Sequence, residues 1–163
     1  MSKKVAVVMG SDSDLETMKP CIARLQSFGI PAEVRIISAH RTPVAAEQLA
    51  SGARENGFGV IIAAAGKAAH LAGVLAAYTT LPVIGVPIKT SMMGGLDSLL
   101  SMVQMPKGIP VACVAVDGAD NAAILAAQML ALSDEALAGQ LADFKAKMAE
   151  EVAEKDRRIG EKL

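Results

Sequence analysis

Five short apolar runs constrain this chain most: KVAVVM (4–9), AEVRII (32–37), GVIIAAA (59–65), LPVIGVP (81–87) and PVACVAV (110–116). Several are continuously apolar instead of alternating, the pattern of parallel strands covered on both faces. Helical patterns fall between them at 14–28, 43–56, 67–79, 95–104 and 119–132. Strands alternating with helices predict an α/β fold, a three-layer sandwich around a doubly wound parallel sheet. Thr42-Pro43 reads as a helix opening, with Thr as N-cap and Pro at the first helical position. Pro20 lies inside the first helical pattern, where it kinks the helix or marks a short first turn.

The core this requires is available. Of 163 residues, 52% are hydrophobic and 20% charged, enough for one globular domain. No internal repeat or linker divides it: residues 1–133 form the sandwich, and 134–163 a charged C-terminal extension helix of the same domain. In that tail Leu137, Leu141, Phe144, Met148 and Val152 recur at helical spacing, one apolar stripe that docks on a neighbouring subunit or on the chain's own core. Phe58 to Ser133 hold only Lys67, Lys89, Asp97, Lys107, Asp117 and Asp120, whereas Asp134 to Leu163 hold fourteen charged residues. A middle so poor in charge, with small-residue helices such as AAHLAGVLAAY, predicts a homo-oligomer.

With 16 basic and 17 acidic residues the net charge is −1, so no electrostatic footprint for nucleic acid or an anionic membrane is visible. No run spans a membrane without charge or Gly/Pro interruption, and the N-terminus passes directly into a strand with no leader pattern. Cys21 and Cys113 are too few and too distant for a disulfide framework or metal knuckle, and both read as buried small hydrophobes. The expected location is cytoplasmic.

In doubly wound folds ligands bind at the carboxyl ends of the strands. That rule selects GSDSD (10–14), SAHRTP (38–43), GKAAHLAG (66–73) and PIKTSMMGGLDS (87–98). The only two histidines, His40 and His70, both fall in these loops. GSDSD reads in two ways: Gly10 permits an unusual turn and Ser or Asp caps the following helix, or the turn and helix N-terminus cradle a phosphate. Arg41 suits either a surface ion pair or a phosphate contact, and beside it His40 is the natural acid–base group near neutrality. The phosphate-loop spacing, the G-x-G-x-x-G fingerprint, H-E-x-x-H and any clustered metal-ligand set are all absent, and one Tyr with no Trp argues against a flavin-stacking site. No cofactor and no metal are expected.

Together VVMGSDSD, SAHRTP, AAHLAG, LPVIGVP, LDSLLSMVQMPKGIPVA and NAAILAAQML resemble, in order and over nearly the whole chain, the bacterial N5-carboxyaminoimidazole ribonucleotide mutases of purine biosynthesis. The resemblance implies a flavodoxin-like sandwich, an octamer with sites where subunits meet, and isomerisation to 4-carboxy-5-aminoimidazole ribonucleotide without ATP, biotin or metal. It assigns Ser11 and Arg41 to phosphate, Asp14 to the ribose hydroxyls, His40 to proton transfer, and His70 with its loop to the base and carboxylate. Gly10, Ser38, Gly66 and Leu71 complete the implied substrate contacts; Ser13 and Asp12 remain capping or turn residues. The implied mechanism passes through trapped CO2. Ala64, Lys67 and Ala72 stand where the family pattern has Gly, Gly and Pro, and Gly94 where an acid or asparagine is common. Lys67 therefore contacts a substrate carboxylate or a neighbouring subunit, or points to solvent. Two rivals are a direct carboxylase using free CO2, which Arg41 and His70 argue against, and a non-enzymatic regulatory module, which leaves both histidines unexplained.

Overall fold

The computed structural model describes residues 3–161. Met1 and Ser2 of the leader reading, and Lys162 and Leu163 of the expected tail helix, lie outside the described residues. The elements run β1 (Lys4–Met9), α1 (Leu15–Ser27), β2 (Ala32–Ile36), α2 (Pro43–Ser51), β3 (Phe58–Ala65), α3 (Leu71–Tyr78), β4 (Val83–Pro87), α4 (Leu96–Val103), β5 (Ala112–Cys113), α5 (Ala119–Ala131) and α6 (Glu135–Gly160). The strands form one parallel sheet in the order β2-β1-β3-β4-β5. From β1 the chain goes to β2 on one side and then to β3 on the other, so a topological switch point lies between β1 and β3.

Alternate residues of the central strands serve two separate cores. Val5, Val7 and Met9 of β1, with Val60, Ile62 and Ala64 of β3, pack against Met18, Cys21 and Leu25 of α1 and the alanines of α5. Ala6 and Val8, with Ile61, Ala63 and Ala65, pack instead against Ala46 and Ala50 of α2 and Leu71, Ala72 and Leu75 of α3. The three-layer α/β architecture is as expected.

Element ends differ from expectation for identifiable reasons. Strand β5 has two residues, not seven, because it is an edge strand that pairs only with Ile84 and Gly85 and remains half-buried. Helix α3 starts at Leu71, not at 67, because Lys67 takes a left-handed φ of 59° that no right-handed helix accommodates. Helix α2 stops at Ser51, before Gly52, instead of running to 56. Pro20 sits within α1 without ending it. Cys21 is fully buried, which pushes its thiol up to about 12, but Cys113 is only half-buried.

The α6 stripe divides in two. Leu137 is buried and Leu141 and Phe144 pack on the first core. Phe144 meets Phe28 edge-on at 5.6 Å and lies under the Arg24 guanidinium, which itself pairs with Asp120 at 2.8 Å. Beyond it, Met148 and Val152 are 42% and 63% exposed. Thus the stripe docks on its own chain only as far as Phe144.

Gly94 and Gly95, before α4, adopt φ of 64° and 100°. A Cβ at Gly94 would meet open space, whereas one at Gly95 would stand 2.5 Å from Val116 Cγ1. Left-handed backbone costs a non-glycine residue about 1–2 kcal/mol, and Gly95 adds a clash. Thermal melts should therefore show Gly95→Ala lowering Tm clearly more than Gly94→Ala; equal losses would refute the packing argument.

Candidate active site

Every strand of the switch region ends in a loop tied to its neighbour. After β1, Ser11 is extended and caps a short 3-10 turn (Asp12–Asp14), its Oγ accepting from Ser13 N at 3.3 Å and from Ser13 Oγ at 3.0 Å. Gly10 does not make the unusual turn expected of it: its φ is not positive, and an added Cβ would find ordinary contacts of 3.7 Å. Asp14 closes the turn and is only 7% exposed. Burial raises its carboxyl above the ordinary range, against hydrogen bonds from the Ser11 backbone and the Ser13 side chain that lower it, and Asp12 raises it further.

After β2, Thr42 holds the loop shut. Its Oγ1 donates to the Ser38 carbonyl at 3.0 Å and accepts from Ser38 N at 2.9 Å. Thr42 stands at the N-cap of α2 and Pro43 at the helix start, as expected, but the Thr42 hydroxyl so used makes no cap bond; its carbonyl accepts from Ala45 and Ala46 N instead. Arg41 reaches back over the first loop: Nε contacts Ser38 Oγ at 3.4 Å and Nη2 donates to the Gly10 carbonyl at 3.4 Å. It makes no ion pair among the described residues, so the surface-pair reading of Arg41 fails.

After β3 the small residues Ala63, Ala64 and Ala65 give way to Gly66 and Lys67. The Lys67 N–H donates to Ser98 Oγ at 2.9 Å, Ser98 Oγ donates onward to the Ile88 carbonyl at 2.8 Å, and Ser98 is fully buried. Sequence reading missed Ser98, since a serine within an apolar helical pattern carries no site signature. His70 then precedes α3. Its Nδ1 lies 2.8 Å from Nε2 of His40, with the rings nearly perpendicular at 80°. Two imidazole nitrogens at that distance share one proton: one must donate and the other accept. Residues thirty apart in sequence thus meet in one hydrogen-bonded pair, which no spacing rule foretells.

These loops enclose a cavity of about 760 Å³ that Gly10, Ser11, Asp14, Ser38, His40, Arg41, Gly66, His70 and Leu71 all line. The structure brings every expected site residue together. Its charged lining residues are Arg41, Lys67 and Lys89 against Asp14 alone, a balance that favours an anionic occupant. Among the described residues no cluster of His, Cys, Asp or Glu could hold a metal ion, and no helix is long and apolar enough to cross a membrane.

Comparison with known proteins points to one family. Residues 4–151 match the family model described as AIR carboxylase. An N5-carboxyaminoimidazole ribonucleotide mutase of Pyrococcus horikoshii is 53% identical over 96% of this chain and 89% of its own. That of Brucella melitensis is 54% identical over 95% and 97%. Among solved structures, PurE of Treponema denticola superposes with a TM-score of 0.88 at 28% identity, covering 96% of this chain and 98% of that one.

Asp14 yields a pH prediction. A carboxyl with a raised folded value binds more protons folded than unfolded, so it opposes folding above that value, and the penalty disappears as pH falls below its ordinary value of 3.8. Asp14→Asn should therefore raise Tm at pH 7, with the gap narrowing as pH approaches 3.8. A gap that widens on acidification would reverse the assigned sign.

Proposed function

The chain belongs to the AIR carboxylase family, and from that premise we propose that it isomerises N5-carboxyaminoimidazole ribonucleotide to 4-carboxy-5-aminoimidazole ribonucleotide in purine biosynthesis. The observation that carries this reading is the His40–His70 contact at 2.8 Å on the wall of a cation-lined cavity. Ser11, Arg41 and the amides of the first turn hold the phosphate, and Asp14 accepts from the ribose hydroxyls. Ser38, Gly10, Gly66 and Leu71 shape the walls around the sugar and base.

The reaction balances without a co-reactant. The bond between N5 and its carboxylate breaks as N5 gains a proton, the released CO2 stays in the Ala/Gly-lined pocket, C4 attacks it, and C4 loses a proton. His40 carries that proton, with His70 as its hydrogen-bonded partner. Enclosure keeps CO2 near C4 at high effective concentration. A direct carboxylase would draw on free CO2 instead; the curated mutases at 53–54% identity support the mutase reading. The enzyme acts in the cytoplasm and needs no nucleic acid, membrane, metal or cofactor.

Assembly is part of the reading. Leu96, Leu100 and Val103 of α4, with Met92 and Met93 before it, leave an apolar face 44–89% exposed beside the site. A homo-octamer covers this face and the outer end of α6. Sedimentation should give a particle near eight times the 16.8 kDa chain; a concentration-independent monomer would remove the assembly.

Two variants separate binding from chemistry. His40→Asn should keep substrate affinity by calorimetry and lose turnover by about 100- to 10,000-fold, the range of general acid–base assistance. Arg41→Ala should weaken binding by about 1.5–3 kcal/mol. Assay of each imidazole ribonucleotide with and without bicarbonate decides between mutase and carboxylase. Turnover of His40→Asn within tenfold of the parent would overturn the role of His40.

A further inference from the structure

Lys67 is one of two non-glycine residues with positive φ among the described residues. The fold holds it there on both sides: its N–H by the buried Ser98 hydroxyl at 2.9 Å, and its carbonyl by the Ser101 hydroxyl at 3.3 Å. A lysine clamped in a conformation that suits glycine better, three residues before His70 and on the wall of the reaction cavity, is an outlier that calls for a function. Its ammonium makes no ion pair among the described residues.

Its place in the sheet says what it faces. Arg41 follows β2 and Lys67 follows β3, so the two flank the Ser11 turn after β1 from opposite sides. Strands neighbour at about 4.8 Å, which sets the two loops roughly 10 Å apart, the scale of a ribonucleotide from phosphate to base. With phosphate at Arg41, the far end of the ligand lies by His70 and Lys67. Lys89 also lines the cavity, but it follows β4, one strand further out from Arg41.

We propose that Lys67 is a specificity-determining residue, a second cationic pole that selects ribonucleotides carrying a carboxylate over the uncarboxylated aminoimidazole ribonucleotide. The assignment rests on the mutase reading above. Both substrate and product carry the carboxylate, whereas trapped CO2 is neutral. Lys67 thus strengthens binding at both ends of the reaction and gives nothing to the intermediate, so its removal raises KM and, by raising the bound ground state, does not lower kcat.

The test uses Lys67→Gly, which suits the positive φ, together with Lys67→Gln and Lys89→Met. Calorimetry with 4-carboxy-5-aminoimidazole ribonucleotide should show affinity falling by about 5- to 20-fold in both Lys67 variants, as for a partly exposed charge contact. The uncarboxylated ribonucleotide should bind each variant within twofold of the parent, and kcat should not fall. Equal losses for both ligands, no loss for either, or the discrimination moving to Lys89→Met would each overturn the proposal. The parent is assayed first: if it does not isomerise the substrate, the mutase reading fails, whereas a working parent with unaltered Lys67 variants removes only the role of Lys67.

Discussion

Burial of β1 and β3 on both faces is the constraint from which the rest of the molecule follows. Because Val5, Val7 and Met9 serve one core while Ala6 and Val8 serve the other, neither face of these central strands is left to solvent. Helices must then cover both sides, crossovers must be right-handed and the strands parallel, and parallel strands deliver all their carboxyl ends to one edge. The site is a consequence of that arrangement: four consecutive strand ends, each supplying a loop, meet at the point where the chain changes direction across the sheet.

Small residues then decide what that edge can hold. Ala63, Ala64, Ala65 and Gly66 fill little space at the end of β3, and Ala69 and Ala72 continue the pattern beneath His70. Of these, Ala65 and Gly66 line the cavity onto which the histidines face, and larger side chains at those two positions would take up its volume. The buried Ser98, bonded at once to Lys67 N and the Ile88 carbonyl, ties the loops after β3 and β4 to α4 and keeps this wall rigid.

Charge is distributed to match. Arg41 sits over the first turn, bonded to the Gly10 carbonyl and to Ser38 and without a carboxylate partner among the described residues, so an incoming anion need not displace an ion pair within them. Asp14 is the single lining acid, and its burial raises its carboxyl. An acid in that position is costly to the fold. The Ser13 hydroxyl, which donates to it at 3.5 Å, offsets part of that cost.

Much of this was legible in the residues alone. Continuous apolar runs such as GVIIAAA disclosed strands buried on both faces, and the strand-end rule then picked out every loop that lines the cavity, because both depend on short-range pattern. The ends of elements were less legible. The run at 110–116 has the composition of a full strand yet pairs over only two residues, since an edge strand's length is set by the neighbour it finds. Lys67 reads as helical and is left-handed, because its backbone is held by Ser98 and Ser101, some thirty residues away. The sequence by itself determined the fold class and the family and assigned the candidate site residues to strand-end loops, all of which follow from local periodicity and motif. Only the tertiary structure decided that His40 and His70 meet, that the hydroxyl of Thr42 closes its own loop instead of bonding the first turn of the helix it caps, and that the α6 stripe leaves its own core after Phe144. Each is a contact between distant residues or a competition for one hydroxyl, and such outcomes exist only once the sheet has brought the competitors together.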